Sequence, residues 1–195
     1  MISRTLTTLV SIAFALNLTA QSSITIQPTS SHIEWHAEKV TGSHHGTVHL
    51  LEGSMKIQGN ELHSGEFIID MSSIECEDLS GGSKAKLENH LKSPDFFDVQ
   101  NHPNAKFVIT SVKQHSEDPA YNKFITGDLS IKGITHSISF PARVEVKDAK
   151  LAAYGEMTID RTKYNVRYGS ASFFSDLGDK AIMDEFTLKI NLGAK

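Results

Sequence analysis

The sequence predicts an all-β protein, and within that class an eight-stranded antiparallel β-barrel with one short helix. Eight segments of about 8 to 12 residues alternate apolar and polar side chains with the two-residue period of half-buried strands. Short turns join most consecutive segments, which indicates antiparallel pairing. A sandwich of two sheets would satisfy the same alternation, but it would leave strand edges exposed. Closure into a barrel is therefore favoured.

Residues 1–20 have the features of a secretory signal sequence. A basic start at Arg4 precedes the apolar run 6–18, and Ala20 supplies a small residue at the cleavage position. The run is shorter than the roughly 20 apolar residues that a membrane-spanning helix needs. We therefore expect an exported, periplasmic protein whose mature part, residues 21–195, is one domain.

Charge and cysteine content narrow the range of partners. The chain has 19 Lys and Arg against 23 Asp and Glu, a net charge of −4. This balance argues against a nucleic-acid partner, which usually needs a basic face. The same balance argues against adhesion to anionic lipid, so contact with a membrane would be transient. Cys76 is the single cysteine. It allows no internal disulfide, so the fold must be stabilised by packing.

The eight predicted strands follow one another along the chain. Glycine-rich or polar segments separate them, and we expect turns at 42–46, 59–60 and 117–119 and a loop at 72–82. A long connection, 160–180, joins the last two strands. The predicted strands are 33–38, 47–57, 62–70, 105–115, 121–132, 136–146, 151–159 and 185–192.

One helix interrupts the strands. It is predicted over 83–92, because Leu87 and Leu91 lie four residues apart and share a helical face. Ser83 is the expected N-cap. The helix must end before Pro94, which lacks a backbone N–H and disfavours helical angles in the residue before it.

The segment 90–107, HLKSPDFFDVQNHPNAKF, joins the end of this helix to two adjacent aromatics, Phe96 and Phe97, and to the next strand. It resembles the signature of the YceI-like family of polyisoprenoid-binding proteins. Further matching segments stand in the same order, so the resemblance covers about residues 23–193. It implies a lipocalin-like barrel that holds a long isoprenoid lipid. The further segments are HIEWHAEKVTGSHHGTV, GEFIIDMSSI, GDLSIKGITHSISF, IDRTKYNVRYGS and DEFTLKINL.

The apolar faces of the strands mix large and small side chains, which predicts an apolar space along the barrel axis. Large side chains at every inward position would close it, whereas alanines and glycines leave room for a prenyl chain. The alternative is that the glycines serve bends in the strands and side chains fill the barrel. The large candidates for the cavity wall are Trp35, Phe67, Phe107, Ile125, Phe140 and Met157. The small candidates are Ala37, Gly53, Gly65, Ala105, Gly127, Ala142, Ala153 and Gly155.

A basic and aromatic cluster in the long connection is the candidate mouth for a lipid head group. An isoprenoid quinone would need only hydrogen-bond donors there, whereas a polyprenyl phosphate would need cations. The alternative is a solvated loop with aromatic anchors. Phe96 and Phe97 are candidates for the same mouth, or plugs at one end of the barrel. The cluster comprises Arg161, Lys163, Tyr164, Arg167 and Tyr168.

Metal binding and catalysis find little support in the sequence. His36, His44, His45 and His49 form the densest group of histidines, but no metal-binding motif completes a site. Cys76 has no motif that pairs it with a base. We therefore expect no catalytic residues, no metal and no cofactor, only a non-covalently bound isoprenoid lipid that the protein sequesters or carries. A non-catalytic interaction module is the main alternative, followed by a histidine-based metal-binding protein.

Overall fold

A ring of eight antiparallel strands, a short ninth strand and one α-helix make up the fold. The computed structural model describes residues 21–147 and 150–194, and the predicted signal sequence lies outside them. The strands are β1 (Gln21–Thr25), β2 (His32–Lys39), β3 (Gly42–Gln58), β4 (Glu61–Cys76), β5 (Asn104–Gln114), β6 (Lys123–Ile131), β7 (Ile134–Lys147), β8 (Lys150–Asp160) and β9 (Ile182–Ala194). The helix is α1 (Gly81–Lys92).

The barrel closes because each strand from β2 to β9 pairs with a neighbour on both sides. Consecutive strands are antiparallel neighbours, and β9 pairs back with β2, where Leu188 lies opposite Trp35. The predicted fold class, an eight-stranded antiparallel barrel with one helix, is confirmed.

Residues 42–46 are part of a strand, and the turn predicted there is wrong. Val40 and Thr41 form the connection between β2 and β3. Gly46 lies inside β3, where a Cβ would stand 1.9 Å from the carbonyl oxygen of Glu75 on β4. This glycine therefore serves the close approach of two strands and not a change of chain direction.

The segment between β4 and α1 is also shorter than predicted. β4 continues to Cys76, so residues 77–80 replace the expected loop 72–82. The N-cap of α1 is Ser80 and not Ser83, and its side chain makes no capping hydrogen bond. Without that bond the helix start has no strong sequence signal.

The strand β1 is missing from the prediction, since its side chains are exposed or half-buried and do not alternate. It pairs with the last residues of β3. The chain then crosses the barrel end opposite α1. The backbone N–H of Ile26 donates to the carbonyl oxygen of Gly53, and the backbone N–H of Gln27 donates to the carbonyl oxygen of Gly193. Ile26 is fully buried there.

The hydrophobic core is the interior of the barrel, and α1 lies against β4 at one end of it. Leu87 and Leu91, the pair predicted to share a helical face, are half-buried and pack against this core. In the part of the chain that the structure describes, no helix has the length and apolar character of a membrane span.

Candidate functional site

The interior of the barrel contains an apolar cavity of about 170 Å³. Its wall consists of inward-facing side chains from β2 to β9 and of residues from α1 and the turn that follows it. The large side chains predicted to face the lumen all belong to this wall: Trp35, Phe67, Phe107, Ile125, Phe140 and Met157.

Small residues account for part of the free space. Five of the eight predicted small residues line the cavity, namely Ala37, Ala105, Ala142, Ala153 and Gly155. Gly127 has a different role, because a Cβ there would lie 2.4 Å from Cζ of Phe107. The aromatic ring occupies the space that this glycine opens, so a glycine in a strand does not by itself create cavity volume.

The β9 side of the cavity is incompletely filled. Phe186, Leu188 and Ile190 point inward and line the cavity, yet each is only half-buried. Buried side chains in a closely packed core have little accessible surface left. Their remaining accessible area shows that protein atoms do not cover this side of the wall.

One end of the cavity is covered by the end of α1 and the aromatic turn after it. Leu91, Phe96 and Phe97 line the cavity from this end, and Phe96 is 7% exposed. The backbone N–H of Phe97 donates to the Leu91 carbonyl at 3.1 Å. The ammonium of Lys132, in the turn between β6 and β7, donates to Phe96 O at 2.9 Å and to Pro94 O at 3.0 Å. These bonds hold the turn against the barrel rim.

Arg161 lies beside this turn and is the cationic residue of the described cavity wall. Its guanidinium is 5.6 Å from the Phe96 ring centre. Four of its N–H groups donate to backbone carbonyl oxygens at 2.8–3.0 Å. These oxygens belong to Val166, Tyr168, Ile182 and Met183. Burial lowers the pKa of Arg161, but an arginine remains protonated in proteins. Most of its donors are therefore already used to order the connection between β8 and β9.

The other predicted mouth residues of the long connection do not line the cavity. Tyr164 is 1% exposed and packs edge-on against His136, with ring centres 5.3 Å apart. Burial, and then the charge of Asp160, raises the pKa of Tyr164 to about 12. Tyr164 is thus a packing residue in this structure.

Arg167 and Tyr168 lie on the outer surface of the same connection. The Arg167 guanidinium lies 4.4 Å from the ring centre of Phe173. The Tyr168 ring is 4.3 Å from that of His90 on α1, and 47% of Tyr168 is exposed. The structure therefore separates the candidates: Phe96, Phe97 and Arg161 contact the cavity, whereas Tyr164, Arg167 and Tyr168 surround its covered end.

Several lining residues lie outside the set predicted from sequence. Ile182 and Met183 contact the cavity, but they precede the predicted last strand, 185–192. Extending the alternation of Phe186 back along the chain would have placed Ile182 on the same face. Met55, Met71 and Met183 also contact the cavity, and methionine side chains adapt their shape more readily than branched ones.

Comparison with known proteins adds a family and a set of similar folds. The YceI-like domain family matches residues 24–194. A solved structure of Burkholderia cenocepacia BcnA has a TM-score of 0.60 at 19% identity and covers 87% of this chain and 99% of its own. A polyisoprenoid binding domain from Saccharophagus degradans, implicated in plant cell wall breakdown, has a TM-score of 0.59 at 12% identity and covers 88% and 97%. At these identities the likeness concerns the fold.

Curated relatives match a part of the chain. A UPF0312 protein of Pseudomonas putida is 31% identical over 98 residues, 50% of this chain and 47% of that protein. A UPF0312 protein of Pseudomonas fluorescens is 29% identical over 111 residues, 56% and 54% of the two chains. The chain spans about half the length of the curated relatives it matches.

Proposed function

Because the chain belongs to the YceI-like domain family, we propose that its barrel binds the apolar chain of an isoprenoid lipid and sequesters or carries it. The observation that carries this proposal is the apolar cavity inside a closed barrel. Arg161 and Tyr154 are the titratable residues of its described wall, and Tyr154 stacks on Tyr121 with ring centres 6.1 Å apart. The name of the Saccharophagus degradans domain, a similar fold, also supports an isoprenoid ligand.

The size of the cavity indicates how such a lipid would enter. A cavity of about 150 Å³ in another protein holds one benzene molecule, and the volume here is about 170 Å³. A short prenyl segment fits this space, at a gain of about 0.8 kcal/mol for each CH₂ group buried. A longer chain requires the wall to rearrange. The parts of the wall best able to rearrange are the adaptable methionines and the half-buried residues of β9.

The head group that fits this end best is neutral. A polyprenyl phosphate would need unused cationic donors, but four N–H groups of Arg161 already bond to carbonyl oxygens. An isoprenoid quinone needs one or two hydrogen bonds and no charge neutralisation. We therefore favour the quinone over the phosphate.

The location in the cell envelope and the absence of catalysis belong to the same proposal. The basic start and apolar run of residues 1–20 support export to the periplasm. A protein that shields a lipid tail from water there performs its role by binding alone.

The test is extraction of lipid from the natively purified protein, followed by mass spectrometry. We expect a stoichiometric prenyl species, whose mass identifies the head group. A clean extract, together with no uptake of added prenyl lipids, would contradict the proposal.

A pair of neighbouring substitutions tests the position of the lipid. Ala153 lines the cavity, whereas Ala152 beside it is exposed. Ala153→Phe would fill much of the cavity, and we expect it to weaken prenyl-lipid binding at least about tenfold, or 1.4 kcal/mol. Ala152→Phe should bind as the natural chain does. Circular dichroism verifies folding, and Ala142→Leu replaces the first variant if that variant does not fold. Unchanged binding in the folded cavity-filling variant would place the lipid elsewhere.

A further inference from the structure

Outside the cavity, three potential metal ligands of different types come together from separate parts of the chain. His44 lies near the start of β3 and Cys76 is the last residue of β4. Asp78 follows in the short segment before α1. His44 and Asp78 are 34 positions apart in sequence, and the antiparallel pairing of β3 with β4, which sets Gly46 opposite Cys76, brings them together.

The ligand atoms of the three side chains converge on one point. Nδ1 of His44 is 2.7 Å from Oδ2 of Asp78. The Cys76 thiol is 3.2 Å from the other carboxylate oxygen, Oδ1. The imidazole nitrogen, the sulfur and a carboxylate oxygen all lie within 4.8 Å of one another. One ion at metal–ligand distances of about 2.0 to 2.3 Å can reach three such atoms with small side-chain adjustments.

The backbone around the cluster holds these ligands in place. The N–H of His45 donates to Oδ1 of Asp78 at 3.0 Å, and the N–H of Glu77 donates to His45 O at 2.9 Å. The N–H of Cys76 donates to Oε1 of Glu88 on α1 at 2.9 Å. Outer bonds of this kind orient ligands before a metal binds.

Burial and exposure in the cluster suit a site with one open position. Cys76 is fully buried, whereas the side chains of His44 and Asp78 are 28% and 21% exposed. The sulfur therefore forms the floor, and the nitrogen and oxygen face solvent. Three protein ligands with a fourth position open to water is an arrangement that zinc adopts in proteins.

Protons compete with a metal ion for the ligand atoms of this cluster. Burial alone would raise the pKa of Asp78, but hydrogen bonds from the His45 N–H, the His44 ring and the Cys76 thiol hold it well below its usual range. Burial, and then the bond to Asp78, raises the pKa of the Cys76 thiol. An ion that binds here must therefore displace the thiol proton and any proton on Nδ1 of His44, both of which pass to solvent.

We propose that His44, Cys76 and Asp78 form a binding site for a late first-row divalent cation, with Zn²⁺ as the best fit. Thiolate, imidazole and carboxylate together select such an ion over Mg²⁺ or Ca²⁺, which prefer oxygen ligands. The site would fasten the β2–β3 hairpin to the segment that leads into α1. The residues that carry it lie outside the cavity wall, so the proposal is independent of lipid binding.

The test is metal titration of the full mature chain, purified without a histidine tag. Zn²⁺ is titrated in competition with a chromophoric chelator, and Co²⁺ is titrated as the spectroscopic probe. We expect one ion per chain and, with Co²⁺, the near-ultraviolet absorption of a cobalt–thiolate bond. A stoichiometry well below one, or a Co²⁺ spectrum without that band, would overturn the assignment.

Matched variants locate the ion. Cys76→Ser and His44→Ala should each weaken Zn²⁺ binding by at least about 100-fold. Loss of an outer-shell partner alone costs up to about this much, and these variants remove a direct ligand. His45→Ala removes the neighbouring, exposed imidazole but keeps the backbone N–H that holds Asp78, and it should bind Zn²⁺ as the natural chain does. Far-ultraviolet circular dichroism verifies that each variant is folded. If His45→Ala loses as much affinity as His44→Ala, the ion is bound by another set of histidines.

Discussion

Gly127 determines how closely the Phe107 ring packs against β6. A methyl group at this position would lie 2.4 Å from Cζ of Phe107 and 2.6 Å from the carbonyl oxygen of Val108. The carbonyl belongs to the backbone of the paired strand, so rotation of the ring alone cannot relieve the contact. This position is the most direct test of packing in the barrel wall.

We expect Gly127→Ala to lower the free energy of unfolding by about 1 to 3 kcal/mol, the usual cost of overpacking a core. Urea denaturation measures the change. Gly82→Ala is the control, because nothing lies within 4 Å of a Cβ there and alanine favours the helix in which it stands. The control should be neutral or stabilising by up to about 1 kcal/mol. Equal stability of the two variants would contradict the packing described here.

At the level of single residues, sequence alternation was enough to find the large inward side chains. Side chains on a strand alternate between its two faces, so Phe107 and Ile125 could be placed on the apolar face without knowing their neighbours. The role of Gly127 could not be predicted in this way. It depends on which ring lies across from it, and that is a property of strand pairing.

Among the elements, the aromatic turn after α1 depends on a contact from a distant hairpin. The ammonium of Lys132 bridges the carbonyl oxygens of Pro94 and Phe96. Asp98 in the same turn has a φ of 51°, a conformation that non-glycine residues rarely adopt. The contacts of Lys132 therefore help to hold the turn in this conformation.

We expect Lys132→Met to loosen this turn and to lower the free energy of unfolding by about 1 to 2 kcal/mol, since it removes two hydrogen bonds from a charged donor. Hydrogen exchange should accelerate at the amides of residues 96–99 more than in the strands. Lys163→Met, at an exposed position, is the matched control and should leave exchange in the turn unchanged. If the two variants exchange alike, Lys132 does not fasten the turn.

The existence of each long element could be predicted, whereas several boundaries could not. The strands with clear alternation, such as β6, were located to within two residues. β1 lacks an apolar face, and Gly42 and Gly46 imitate a turn inside β3. In both cases pairing with a neighbouring strand overrides the local pattern.

For the molecule as a whole, acid stability should depend on the ion pair between Arg161 and Asp184 near the covered end of the cavity, where Nη2 of Arg161 lies 3.6 Å from Oδ1 of Asp184. Burial would raise the pKa of Asp184, but the nearby hydroxyl groups of Ser170 and Ser172 and the charge of Arg161 hold it below its usual range. The folded state then binds fewer protons than the unfolded state. The contribution of Asp184 is complete above about pH 4 and is lost as the pH falls toward the folded-state pKa.

We therefore expect Asp184→Asn to be less stable than the natural chain at neutral pH, with the difference shrinking below about pH 4. Urea denaturation at a series of pH values measures it. Asp95→Asn, at an exposed position, is the control, and its free energy of unfolding should show the same pH dependence as that of the natural chain. A difference for Asp184→Asn that stays constant across the acid range would show that this carboxylate does not contribute through its charge.

The convergence of His44, Cys76 and Asp78 is the kind of feature that sequence spacing does not reveal. The sequence shows adjacent histidines and an isolated cysteine, and neither pattern is specific. Only the register of β3 against β4 places them side by side. The presence of a cavity could be predicted, because its wall follows from the alternation of side chains along the strands. Its volume could not be predicted, because it depends on how the aromatic rings fill the space.

The seam between β2 and β9 has a consequence for how the chain reaches its folded state. Trp35 and Leu188 face each other across this seam although about 150 residues separate them. Contacts of such long range form slowly, because the intervening chain must be ordered first. A chain in which β9 is not yet in place has unpaired edges at β2 and β8, and such edges can pair with other chains. The strand edges of β2 and β8 are therefore covered only when β9 is present and has paired with both of them.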